Sequence, residues 1–269
     1  MSFFGSTARM FDLALGEILW ARRTIFLALL AIGPVLLAVA SRAALAGGTA
    51  VVRVNGASIG SADIFNVAIW TLYLRFIVPA LGVFYGTALI ADEVEDKTIT
   101  YLFTRPLRRG AIVLGKYLAY LVYVTATVLP SVAILFVLMV PFSGMAGLYV
   151  TLLKDLAVIA IGLAAYGALF LLAGVRPKRS LVAGLVFVFG WEQIALVMPG
   201  YLRYLTVAYY LQSLAPRAIP VEDTFAVLQA VNADIPSSAA SVVTLTVATV
   251  IALLLAMRTV ERREYVLEQ

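Results

Sequence analysis

Four carboxylates, Asp92, Glu93, Glu95 and Asp96, stand immediately before Lys97, and Arg105, Arg108 and Arg109 follow in the same stretch, ADEVEDKTITYLFTRPLRRGAIVLGK. The chain holds no histidine and no cysteine, so the commonest metal ligand and general base is missing and no thiolate can form. The remaining Asp, Glu, Ser and Lys are scattered in no recognisable catalytic motif. No enzyme and no metal site are expected in this chain. What the island offers instead is charge of both signs, Asp92, Glu93, Glu95, Lys97, Arg105 and Arg109, around the apolar Ile99, Leu102 and Phe103. An apolar centre with a polar rim is the anatomy of a protein interface. Thr98 opens the apolar run, and Pro106 suits the first turn of a new helix, where its missing N–H is not needed.

One nucleotide-like motif is a false lead. GAIVLGK, from Gly110 to Lys116, matches a phosphate-binding loop up to its lysine, but Tyr117 stands where a Ser or Thr must hold magnesium, and no strand precedes it. The chain is not expected to bind ATP itself. Arg75 and Glu192 are ionisable residues that stand well inside apolar runs. A charge at such depth is costly and usually faces the bundle interior, pairs, or marks a pathway. Counted along the helices at ~1.5 Å per residue they lie roughly 24 Å and 18 Å from the cytoplasmic ends, and a buried Arg75–Glu192 pair is the expectation.

The elements that must position these residues are membrane helices. The 269 residues are 63% hydrophobic and only 13% charged, with mean hydropathy +1.00, well outside the range of soluble domains. Six runs are long enough to cross a hydrocarbon core of ~30 Å: 24–41, 64–90, 112–139, 152–174, 180–198 and 239–257. None alternates as a barrel strand would. The fold class is therefore all-α and polytopic, as one membrane domain over 1–269. Pro34, Pro79 and Pro130 should kink their helices, and Gly162, Ala165, Gly167 and Ala168 should let the fourth span pack closely.

Basic residues set the orientation. With a cytoplasmic N-terminus, thirteen Lys and Arg fall on the inner side against five on the outer. Both termini are expected in the cytoplasm and the protein in the inner membrane, in contact with lipid. The net charge of +5 then belongs to helix ends beside anionic lipid and implies no nucleic acid. Arg22 and Arg23 precede a run without a clear small-residue cleavage site, so the first span is read as mature protein and not as a signal peptide.

Residues 1–23 carry Phe3, Phe4, Met10, Phe11, Leu15, Ile18 and Leu19 at helical spacing, the pattern of an amphipathic helix in the inner interface. The segment 42–63 has Asn55 and Gly56 between β-prone runs, which predicts a small external hairpin. The outer segment 199–238 begins with Tyr201, Tyr204, Tyr209 and Tyr210 among apolar residues. Such a piece should lie along or dip into the outer interface, with a second short helix near 221–232.

The run of Asp92 and Glu93, Lys97, Thr98 and Leu102, Thr104, Arg105, Pro106 and Arg109, then Gly115 and Lys116 resembles the first cytoplasmic loop of type-2 ABC exporter permeases, most nearly the class that includes the nitrous-oxide-reductase maturation transporter. Lys97 departs from the Gly common before the Thr. The resemblance implies an N-terminal elbow helix, six membrane helices, a coupling loop at 91–110 that docks on an ATP-binding subunit, and a long outer segment between helices five and six. It also implies two ATP-binding subunits, which hold ATP and Mg, and a second permease chain, identical or closely homologous. The expected function is the permease subunit of an ABC exporter. The alternative is a non-transporting membrane anchor that passes ATP-driven motion to a partner at the outer face.

Overall fold

The computed structural model describes residues 3–20, 23–45, 52–54, 57–59, 61–95, 109–140, 145–175, 179–197, 201–215 and 236–262. Helix α1 (Phe3–Trp20) is followed by α2 (Arg23–Leu45) and by a two-stranded antiparallel pair, β1 (Val52–Val54) and β2 (Ala57–Ile59), in which Arg53 faces Ser58. Residues 55 and 56 lie outside the described residues. Helix α3 covers 61–95 and is interrupted twice, by π-helical Ile69–Ile77 and Gly82–Gly86. Then come α4 (Arg109–Met139), α5 (Met145–Gly174), α6 over 180–197 with a π-helical Phe187–Trp191, a 3₁₀ turn Tyr201–Leu205, α7 (Val207–Leu214) and α8 (Ser238–Arg262).

Five of these helices are long and apolar enough to cross a membrane: Thr24–Ala43, Ile64–Glu93, Arg109–Met139, Gly147–Gly174 and Ser238–Arg262. The run expected at 180–198 is different. Its apolar helix, Ser180–Ala195, is shorter than the other five, because after Glu192 the sequence gives way to Pro199 and Gly200.

Helix ends alternate between the two ends of the bundle. At one end Gly115 of α4 lies against Thr7 and Met10 of α1, Gly174 of α5 lies against Thr87 of α3, and Arg109 of α4 reaches Glu261 O of α8 at 3.4 Å. At the other, Phe65 of α3 stacks edge-on to Phe136 of α4 at 5.4 Å, and Arg42 of α2 donates to Leu138 O. The first end carries the end of α3 and the start of α4; residues 96–108 between them lie outside the described residues.

The core is built on α3, α4 and α5. Tyr73, Tyr120 and Tyr166 are fully buried in it, and in an apolar interior each phenol must find an acceptor or donor. Tyr73 shares a hydrogen bond with Ser131 Oγ at 3.0 Å, and Tyr120 donates to Leu163 O at 3.1 Å. The close packing expected of the fourth span occurs. A Cβ on Gly167 would sit 2.2 Å from the Tyr120 ring, and one on Gly174 would sit 2.3 Å from Thr87 O. Only glycine lets the Tyr120 ring lie on the α5 backbone at 167 and the backbones of α5 and α3 meet at 174. Pro79 has no N–H to give to the turn before it, and the π-helical segment Ile69–Ile77 ends two residues before it, with Val78 N bonded to Tyr73 O. α1 turns Ser6, Thr7, Met10 and Ala14 onto the bundle and leaves Phe4, Leu13, Leu19 and Trp20 exposed.

Candidate functional site

Among the polar side chains inside this apolar bundle, two groups tie helices together through a carboxylate. The first sits where α3 ends and α4 begins. Glu93, in the last turn of α3, forms an ion pair with Lys116, two turns into α4. Both are largely withdrawn from solvent, with side-chain exposures of 17% and 6%. The apolar run around Lys116 forces the ammonium inward, and a buried charge there needs a partner. Of the expected docking residues, Glu93 thus faces into the bundle, Asp92 is half-buried, and Arg109 is half-buried against the end of α8. Lys97, Thr98, Ile99, Leu102, Phe103, Arg105 and Pro106 lie outside the described residues, and of Glu95 the backbone alone, at the end of α3, is described. Sequence reasoning left Lys116 without a partner. The signal was there, since a lone lysine in one span and a glutamate ending the preceding one call for each other.

The second group lies towards the other end of the bundle. Glu192 is 1% exposed. Its Oε2 accepts from Tyr166 of α5 at 2.6 Å, and its Oε1 accepts from the backbone N–H of Val207 at 3.1 Å. The Ala208 amide adds a further contact. These amides open α7, where the first N–H groups of a helix lack intrahelical acceptors and a carboxylate is favoured by the helix dipole. Thr206 completes the cap by accepting from Tyr209 N at 3.4 Å. One carboxylate therefore ties α5, α6 and α7 together.

The expected Arg75–Glu192 pair is not formed. Backbone amides and a phenol already occupy both carboxylate oxygens, and no ion pair joins Glu192 to Arg75. Arg75 lies in the π-helical part of α3, half-buried, and its Nε is shielded with no hydrogen-bond partner among the described residues. The four tyrosines of the segment after Pro199 also separate. Tyr201 is 87% exposed, whereas Tyr209 is buried with Arg203 over its ring at 5.4 Å. Helix α7 turns back onto the bundle: Leu211 packs on Gly162 of α5, and Ser213 shares a 2.5 Å hydrogen bond with Ser241 of α8. The short helix expected near 221–232 lies outside the described residues.

No site of bond-making chemistry emerges from either group. An apolar helical bundle with five helices long enough to cross a membrane among the described residues, held by a handful of internal polar ties, defines a multi-pass membrane protein. Residues 17–191 match the family model described as ABC-2 family transporter protein. That is well over half of the chain, and the protein belongs to this family: it is a permease subunit of an ABC transporter. No curated protein matches the chain.

Proposed function

We propose that this chain is the membrane half of an ABC exporter, working as a pair of permease chains on two ATP-binding subunits that hold ATP and Mg. The single observation that supports the coupling route is the arrangement at the loop-bearing end. Glu93 and Lys116 bind the two helices that border the loop, and α1 packs on the start of α4 at Gly115. A force applied to the 91–110 loop is therefore delivered to α3, α4 and α1 together. The docking surface is Asp92, Glu95, Lys97, Thr98, Ile99, Leu102, Phe103, Arg105, Pro106 and Arg109, with Glu93 anchoring it from within.

In this reading the loop-bearing end is cytoplasmic. Arg109, Arg179, Arg258 and Arg262 all belong to helix ends there, and Arg9 to α1, which packs at that end, as the charge asymmetry of membrane proteins requires. α1 is the elbow helix in the inner interface, its exposed Phe4 and Trp20 towards lipid. α6 is the sixth, shorter span, completed by α7 folding back beside it, and the β1–β2 pair is external. The finer class proposed is the one that the loop residues resemble, the permeases that include the nitrous-oxide-reductase maturation transporter.

The test is assembly. Phe103→Ala and Glu95→Lys should reduce co-purification of the ATP-binding subunit or uncouple its ATP hydrolysis, while Arg179→Ala, in a loop without an apolar centre, should behave as wild type. Equal behaviour of all three would remove the docking assignment.

A further inference from the structure

Arg75 takes no part in the coupling route at the loop-bearing end. It stands within the apolar helix Ile64–Glu93, about 16 Å along from Ile64 at ~1.5 Å per residue. Its Nε is shielded and has no hydrogen-bond partner among the described residues, and Glu192 is committed elsewhere. A guanidinium cannot shed its proton to escape the cost of depth. A charge at that depth calls for an anionic partner, and neither oxygen of Glu192, the nearest expected one, is open to supply it.

The surroundings say what kind. Phe76, the next residue, is 47% exposed and its ring lies 5.8 Å from that of Phe189 on α6, itself 41% exposed. Val186, one turn from Phe189, is 65% exposed. One cation beside an uncovered apolar strip is the complement of a molecule with an anionic head and a hydrocarbon tail. Neither Asp155 nor Glu192, at 3% and 1% exposed, is open to a molecule arriving from outside the chain, so the strip offers that molecule one cation and apolar surface.

We infer that Arg75 binds the anionic headgroup of a membrane amphiphile, phosphate or carboxylate, whose tail lies along Phe76, Phe189 and Val186. This rests on the permease reading and adds a ligand class to it. The guanidinium fork supplies paired charge-assisted hydrogen bonds that an ammonium cannot reproduce. The aromatic pair holds the tail by burial alone and sets no limit on chain length. The amphiphile is either cargo or a resident lipid, and the chemistry at Arg75 is the same for both.

The experiment uses the purified full chain in neutral detergent, without ATP or the ATP-binding subunit, so its result is independent of the coupling assignment. The melting midpoint is followed while phosphatidylglycerol, phosphatidylcholine or inorganic phosphate is titrated. Wild type should be stabilised by phosphatidylglycerol in preference to phosphatidylcholine, and by inorganic phosphate hardly at all. Arg75→Gln should weaken the apparent phosphatidylglycerol affinity on the order of tenfold, the scale of one charge-assisted contact, and leave phosphatidylcholine unchanged. Arg75→Lys should fall between, and Lys154→Gln, at an exposed cation towards the same end, should match wild type. An undiminished anionic preference in Arg75→Gln overturns the site. So does equal stabilisation of wild type by both lipids, or by inorganic phosphate alone. If Arg75→Gln cannot be recovered folded, wild type and Arg75→Lys decide by the same criteria. With the ATP-binding partner restored in vesicles, a labelled phosphatidylglycerol that changes leaflet on ATP addition is cargo, and one that stays is resident.

Discussion

Removing one member of the Glu93–Lys116 pair leaves the other charge withdrawn from solvent among apolar side chains, and the size of that penalty can be worked from the structure. Breaking a buried pair costs about 3–5 kcal/mol, whereas replacing both members by uncharged residues of similar volume is often near neutral. Glu93 keeps some exposure, 17% against 6% for Lys116, so the low end of the range applies. Glu93→Gln and Lys116→Met are each expected to cost about 3 kcal/mol, and the double variant to lie within ~1 kcal/mol of wild type. At roughly 2–4 °C per kcal/mol for a chain of this size, each single variant should melt about 6–12 °C lower, read at a fixed scan rate because membrane proteins seldom unfold reversibly. The same three proteins should be compared for assembly with the ATP-binding subunit. If Glu93 acts through Lys116, assembly lost in Glu93→Gln returns in the double variant. Additive losses of stability, with the double variant worst of all, would falsify the pairing argument.

Tyr166→Phe removes the phenol that donates to Glu192 and should cost about 1.5–3 kcal/mol, the value of a hydrogen bond to a charged group; a melting point equal to wild type would show that the carboxylate does not depend on it. Glu192→Ala should in addition release the start of α7, so that limited proteolysis within 201–215 speeds up while cleavage elsewhere stays constant. Because native cysteine is absent, single cysteines at Thr98, Arg179, Ser58 and Thr224 can be probed with an impermeant thiol reagent in intact cells. Labelling is expected at Ser58 and Thr224 alone, and labelling at Thr98 would invert the proposed topology.

Much of this protein is legible without coordinates, for a physical reason. A bilayer demands that every backbone group be satisfied within a segment, so an apolar run of sufficient length must be a helix whatever its neighbours do. Five spans follow from composition alone, and so does the small-residue face at Gly162 and Gly167. Partnership does not follow. Arg75 and Glu192 have compatible depth and opposite charge, yet Glu192 is held by Tyr166 and the opening amides of α7, because a carboxylate is also satisfied by N–H groups that no side-chain pattern displays. Lys116 looked like a stray charge in a span until helix ends at one end of the bundle brought Glu93 beside it. The segment after Pro199 read as interfacial from its tyrosines, while Leu211 on Gly162 and Ser213 on Ser241 turn it back onto the bundle. Hydropathy fixes which residues enter the membrane, a property local to each segment; which charges meet there is set by distances between segments, and those exist only once the helices have packed.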